Sequence, residues 1–540
     1  RRGKRPRENM LDATLDSRPL RRIVGIVGIA LAVGAHGCTT RPTSTEPEKE
    51  IEEQPEVEQA VPEPGISGTE SPPSVAVTTF TGPEGKAGWF GALAADHVTR
   101  RLHVASGNKA PPLYVFGWRQ AMSAARSLDL LENEVDARAA DLMVELGVDY
   151  LVTGAYTTDG EQIAIQWKIV GIDTPKSGEM QTSASQSAQG AYALGGEVLT
   201  ALAPGVKVSD EGASSLTAGT AGREWGEALE RLSRQSRDPR ATLVLSGEEI
   251  AQTLSLLEKV TQAANDFAPA WAARAALSSM GDTPTEKIAM ASAKAAINAG
   301  ATDPTAAISL YYMHQQLGQQ TKARELLQEA LDTYPGSLEV KNYLAQAYYL
   351  ASDYEKTLEV WKTYLEDVPK STHAARRRDR MLARLGKHTE AVANAQALLD
   401  SHPRSIPTLA ALASRQIDAG ELDQAKATLK LGLEENPDHP VLLTRLSYVE
   451  LESGSAKESL SLAKKAVARI GDGRGEPLAG YAHVNLARAQ ALSGDRKTAK
   501  KTLRKAIRLG IGGDDIVRLA EDPRLKGFIE LPLNLPPEEP

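Results

Sequence analysis

Cysteine occurs once in the 540 residues, at Cys38. No disulfide can close within one chain, and no cysteine-rich metal site can form. Aromatic residues make up only 5%, which suits closely packed helices better than an aromatic-rich binding sheet. Positive charge is not in excess: 62 lysines and arginines stand against 70 aspartates and glutamates, for a net charge of −8. That balance excludes a whole-molecule electrostatic footprint for nucleic acid. The apolar run Ile23–Ala35 has 13 residues, whereas a membrane-spanning helix needs about 20. Catalytic patterns are missing too: there is no HExxH, no GxSxG and no Cys–His nucleophile pair. Gly85-Lys86 has the context of a phosphate loop, but Phe80 stands where glycine is needed and Ala87 where Ser or Thr is needed. A glycine-rich turn is expected there instead. His97 and His103 share an expected helix but are six apart, so they do not face one metal. No catalytic residue, cofactor or metal is therefore expected.

What is present is a period. Pro335, Pro369, Pro403 and Pro437 follow one another at 34 residues. Twelve before each stands Ala323, Thr357, Ala391 or Ala425, and five before stands Ala330, Tyr364, Leu398 or Gly432. Seventeen before stands a small residue at an expected inter-helix turn: Gly318, Ser352, Gly386 or Gly420. Such a period marks stacked helix–turn–helix units. Small residues let the two helices approach, and proline cannot continue the second one. The pattern resembles the tetratricopeptide-repeat (TPR) family. Units are expected to begin near 268, 304, 338, 372, 406, 440 and 480, with an amphipathic cap at Asp514–Phe528. The solenoid of about seven units plus cap should span 247–530, with a proline-rich tail at 531–540.

Ahead of the solenoid the composition divides the chain further. Met10 is the expected true start. Arg18, Arg21 and Arg22 precede the 13-residue apolar run, the pattern of a secretory signal over 1–38. Ala35-His36-Gly37-Cys38 resembles the lipobox of bacterial lipoproteins, which implies lipidation of Cys38. With Thr39 following, the resemblance implies an outer-membrane lipoprotein facing the periplasm. The alternative is an ordinary signal peptide with an incidental cysteine. Residues 39–73 hold nine glutamates and seven prolines and are expected to form a disordered tether.

Residues 74–205 are expected to form a small α/β domain. Strands are expected at 74–80, 113–118, 149–156, 162–170 and 178–187, and helices at 87–103, 119–131, 135–146 and 192–202. The strings Val75–Phe80, Leu146–Gly154 and Ile163–Val170 resemble the TolB amino-terminal-like fold, which implies a fold and a setting but no catalytic residues. A linker with a short helix around Trp225–Leu232 is expected over 206–246. The fold class is thus multidomain: a mixed-sheet α/β domain followed by an α-helical TPR solenoid.

In such repeats, positions 5, 9 and 12–13 of each unit face the concave groove. They place Tyr312, Gln315, Asn342, Gln346, Tyr349, Arg376, Arg380 and Arg384 there. The three arginines, four apart on one helix face, are expected to form an open positive stripe for protein or peptide segments that are acidic or end in a free carboxylate. The alternative is a solvated helix face. A second basic run, Arg496 to Arg508, reads as a solvated convex helix, or as a contact for anionic lipid or polymer. The expected role is a lipid-anchored periplasmic scaffold that binds protein partners, in envelope assembly, motility or secretion. The rivals are an envelope receptor whose α/β domain binds a small ligand or nucleotide, and a cell-wall-acting enzyme.

Overall fold

The computed structural model describes residues 72–529 apart from 84–87, 106–110, 129, 131, 172–175, 205, 207–215, 217–220, 234–246, 281–282, 301–302, 404, 472–476, 510 and 512. Cys38, the expected signal segment, residues 39–71, Gly85-Lys86 and the tail 531–540 lie outside the described residues.

Strand β1 (Ser74–Thr81) buries Val75, Ala76, Val77 and Phe80 completely, so it must lie inside a sheet. It runs parallel to β2 (Tyr114–Phe116) on one side and to β3 (Tyr150–Asp159) on the other. From β3 the chain turns back through β4 (Gln162–Val170) and β5 (Lys176–Ser183), an antiparallel meander. The sheet order is β2-β1-β3-β4-β5. In β4, Ile163, Ile165, Trp167 and Ile169 face inward while their neighbours stay more exposed, the period of two that one buried face requires. Helices α1 (Gly88–Ala105), α2 (Trp118–Ser127), α3 (Ala139–Leu146) and α4 (Ser187–Leu202) complete the domain. The last strand ends at Ser183, earlier than the expected Ser187. Ser187 and Ala188 are instead buried in the first turn of α4, against Gly222.

Helix α5 (Gly222–Ser233) leads toward the solenoid, but it is packed into the core. Trp225 is fully buried, donates its indole N–H to Asp96 at 3.1 Å, and meets Phe267 edge-on at 5.2 Å. After α6 (Gly247–Ala263), seven helix pairs stack: α7 (Ala268–Ser278) with α8 (Thr283–Asn298), α9 (Pro304–Gln316) with α10 (Gln320–Thr333), α11 (Leu338–Leu350) with α12 (Tyr354–Asp367), and α13 (Thr372–Arg384) with α14 (His388–Ser401). Then follow α15 (Ile406–Asp418) with α16 (Leu422–Glu435), α17 (Pro440–Glu452) with α18 (Ala456–Ile470), and α19 (Pro477–Leu492) with α20 (Arg496–Arg508). Helix α21 (Gly513–Glu521) and a 3₁₀ turn close the array, burying Ile516, Leu519 and Leu525 on the last pair.

The periodic residues have distinct physical tasks. Ala323, Thr357, Ala391 and Ala425 are buried between paired helices. Two residues after the periodic prolines stand Ser337, Ser371 and Ser405. Each accepts a hydrogen bond at its Oγ from a backbone N–H of the helix it starts, which satisfies an otherwise orphaned donor. The inter-helix turns need left-handed backbone: φ is 70° at Gly318, 78° at Gly386 and 80° at Gly420. Ser352 occupies the same place at φ 58°, where its β-carbon is strained.

The α/β domain is seated on the solenoid. Val115 of the edge strand β2 donates its N–H to Gly336 O at 2.8 Å, and Val115 bridges Ser337 in parallel register. The open edge of the sheet is thereby closed by an inter-unit turn. His103 Nε2 lies 3.2 Å from Ser337 Oγ, and Arg100 pairs with Asp303 at 3.2 Å. Gly147, at φ 73°, lies so close to Ser371 that a β-carbon would collide with its backbone. One apolar cluster runs from Val75, Phe116 and Leu142 to Leu338, Trp361, Tyr364 and Met381. The two units marked out by composition therefore share a core.

Two measurements follow from this packing. Ser352→Gly should raise stability by about 1 kcal/mol by relieving the left-handed strain, read as a higher denaturant midpoint. Glu339, in the first turn of α11, is buried against Gly117, and desolvation lifts its carboxyl to about 7 despite Arg119. Its folded pKa lies above the unfolded value of 4.5. The folded state then binds the extra proton between these values, and stability falls as pH rises through that window. The imidazoles of His97 and His103, held by burial at about 3 and about 4, act with the opposite sign. Melting curves should show Glu339→Gln gaining on the native chain from pH 4.5 to 7, with a constant advantage above.

Candidate functional site

First helices of successive units touch one another, as α13 does α15 and α15 does α17. The second helices lie farther apart. The first helices therefore form the concave wall, and side chains on their inner faces are the ones a bound segment would meet.

Helix α13 reads Thr-His-Ala-Ala-Arg-Arg-Arg-Asp-Arg-Met-Leu-Ala-Arg, with five arginines and one aspartate. Its apolar residues Ala374, Ala375, Met381 and Leu382 are buried, and this fixes where the arginines can go. Arg376 turns to the α/β domain. Its guanidinium grips Glu145 of α3 through both nitrogens, one bond at 2.9 Å, and Thr372 Oγ1 donates to Glu145 O at 3.0 Å. The Arg376 and Glu145 side chains are 15% and 4% exposed. Glu145 also sits at the N-terminal turn of α13, where the helix dipole favours an anion. Arg378 pairs with Asp379 at 2.8 Å.

Arg377, Arg380 and Arg384 stay half-buried on the same helix. Two arginines outside the expected set join them: Arg415 of α15, which pairs with Asp418 at 3.0 Å, and Arg445 of α17. Burial first, and then neighbouring cations, pull Arg377 down to about 9 and Arg380 and Arg445 to about 10. Arg380 feels Arg415, Arg384 and Arg376, while Arg445 feels Arg380 and Arg415. All remain cationic at neutral pH. Tyr349 of α11 is close enough for its hydroxyl to register on Arg377, Arg380 and Arg415. The carboxylates these arginines feel most are Glu145, Asp379 and Asp418. Burial lifts Asp379 to about 6.

The expected groove residues thus divide. Tyr349, Arg380 and Arg384 come together on this wall. Arg376 does not stand in an open stripe as expected: it is committed to an inter-domain ion pair, because Glu145 of a distant segment reaches it first. Tyr312 packs edge-on against Tyr311 at 5.3 Å and Tyr343 at 5.6 Å, and burial raises its hydroxyl pKa well above the usual range. Gln315, Asn342 and Gln346 are half-buried, and the Gln315 side-chain amide nitrogen is buried without a hydrogen-bond partner. Arg377, Arg415 and Arg445 fall outside positions 5, 9 and 12–13 of their units, so those positions alone do not point to them. Yet Arg377 and Arg445 hold the same position two periods apart, which the 34-residue ladder could have revealed. In the second basic run, on α20, Lys497, Lys501, Lys505 and Arg508 are exposed, while Arg496 lies over Phe528 at 4.6 Å.

Among the described residues no three His, Cys, Asp or Glu side chains gather into a metal-binding set. No described helix is long and apolar enough to cross a membrane.

Family models of the tetratricopeptide repeat match residues 306–337 and 382–444. No curated protein matches the sequence. Among solved structures, a tetratricopeptide repeat protein from Parabacteroides merdae is 17% identical, with 44% of this chain and 93% of that one covered and a TM-score of 0.38. Yeast Tom70 is 15% identical, with 57% and 66% covered and a TM-score of 0.40. YrrB, described as a TPR protein with an unusual peptide-binding site, is 14% identical, with 33% and 91% covered and a TM-score of 0.25. At these scores no partner or activity of those proteins transfers to this chain.

The Glu145–Arg376 pair can be tested by removing its acid. Glu145→Ala leaves a nearly buried guanidinium without its carboxylate and should cost about 3 kcal/mol or more. A denaturant melt reads this; a change under about 0.5 kcal/mol would mean the pair is solvated and the seam loose.

Proposed function

We propose that this chain is a lipid-anchored scaffold of a bacterial envelope, one that captures acidic protein segments on the concave wall of α13, α15 and α17. TPR repeats are protein-interaction scaffolds, and the matches to residues 306–337 and 382–444 support that coarse role. The finer reading has separate supports. Lipidation at Cys38 and a periplasm-facing position at the outer membrane rest on the sequence pattern before that residue. The expected setting, envelope assembly, motility or secretion, rests on the resemblance of 74–205 to the TolB amino-terminal-like fold.

The choice of partner rests on one observation: Arg377, Arg380, Arg384, Arg415 and Arg445 lie buried or half-buried on this wall, where burial, and after it neighbouring cations, lowers the pKa of Arg377, Arg380, Arg415 and Arg445. Like charges held together away from water raise the free energy of the empty groove. A segment carrying carboxylates relieves that repulsion, and guanidinium groups bind carboxylates in pairs of parallel hydrogen bonds. Tyr349 adds a rigid contact surface beside them.

Arg380→Glu with Arg445→Glu should abolish binding of a fluorescein-labelled acidic peptide with a free carboxyl end, measured by anisotropy. Binding to the native chain should weaken between 50 and 300 mM salt, roughly as screening of several charge pairs requires. The melting temperature should stay level or rise, because the double change removes cation–cation repulsion. Peptide binding unaltered by the double change would return these arginines to a structural role.

A further inference from the structure

The chain enters the described structure near the start of α13, the helix that carries Arg377, Arg380 and Arg384. Pro73 O accepts from Tyr114 N at 2.9 Å. Ser74 donates from its N and Oγ to Asp149 Oδ2 at 2.9 and 2.8 Å, and Lys370 Nζ lies 3.8 Å from the other Asp149 oxygen. Lys370 is two residues before Thr372, the first residue of α13. The preceding chain therefore leaves from beside the N-terminus of the helix that carries the most arginines. That preceding chain is acidic: residues 46–63 contain eight glutamates and one lysine.

We propose that the acidic run Glu46–Glu63 of this same chain occupies the arginine-lined wall, so that a partner's acidic segment must displace it. The proposal rests on the reading of that wall as a site for acidic segments, and it adds the resident occupant. Reach permits it. Glu63 precedes Pro72 by nine residues, which can span up to about 30 Å. Helix α13 is about 20 Å long, and successive first helices stand about 10 Å apart. Arg380 to Arg445 thus fall within range of the run. Attachment also raises its effective concentration, to about 1 mM for a short tether. A contact with a dissociation constant of only about 0.1 mM would then be closed about ten times in eleven. Charge matching needs no particular register, so glutamates spread over 18 residues serve as well as a fixed motif.

Two measurements on the full chain separate this proposal from the reading it rests on. In the first, Val57 is replaced by the photo-crosslinker p-benzoylphenylalanine and products are mapped by mass spectrometry. Cross-links within one chain to peptides of 372–450, lost on adding Arg380→Glu with Arg445→Glu, are expected. Cross-links elsewhere, between two chains, or indifferent to the arginine changes overturn the proposal. In the second, all eight glutamates of 46–63 become glutamine, and affinity for the labelled acidic peptide is compared with the native chain. A gain of about tenfold is expected. Equal affinity in the two chains shows that the run does not mask the wall, which overturns the proposal while leaving the acidic-partner site standing. Absence of peptide binding to either chain removes the acidic-partner reading itself, and with it the displacement step.

Discussion

The molecule depends on how the open edge of a small sheet is closed. A three-residue edge strand with free N–H and C=O groups invites pairing with another chain. Here the turn at Gly336-Ser337 takes that place, through the bond from Val115 and one parallel bridge. Around it, three helix starts of the solenoid face the α/β domain. Asp303 holds Arg100, Ser337 meets His103, and the first turn of α13 receives Glu145. Their spacing follows the repeat, so the domain reads three consecutive units at once. A rigid seat follows from that geometry, and so does the continuous apolar cluster from Phe116 to Tyr364, whose rings meet edge-on at 6.3 Å.

The same contact sets the electrostatics of the concave wall. Glu145 binds Arg376 at the seam between the α/β domain and α13. What remains is Arg377, Arg380 and Arg384, joined from later units by Arg415 and Arg445. Burial and the neighbouring cations act together there on Arg377, Arg380 and Arg445. The wall is thus a strained arrangement in charge, held by apolar packing of Ala374, Met381 and Leu382 beneath it.

Much of the fold was legible in the residues. The ladder Pro335 to Pro437 set the phase of the helices, because proline ends one helix and, after Pro335, Pro369 and Pro403, the serine two residues on caps the next. Gly318, Gly386 and Gly420 announced turns that require left-handed backbone, and Ser352 was recognisable only because it kept their phase. Alternation in Gln162–Val170 fixed a strand with one buried face. Less was legible where small polar residues are compatible with either structure. Ser183–Ser187 read as strand, yet burial of Ser187 and Ala188 against Gly222 makes a helix start.

By itself the sequence determined the local structure and its period, since propensity, capping and the 34-residue spacing act over a few turns of chain. Only the tertiary structure decided which charges are brought together. Glu145 and Arg376 are 231 residues apart, and no periodicity links them. Arg377, Arg415 and Arg445 likewise converge only because successive first helices stack face to face. Charge interactions depend on distance and burial in space, and those are set by packing between segments the sequence keeps far apart.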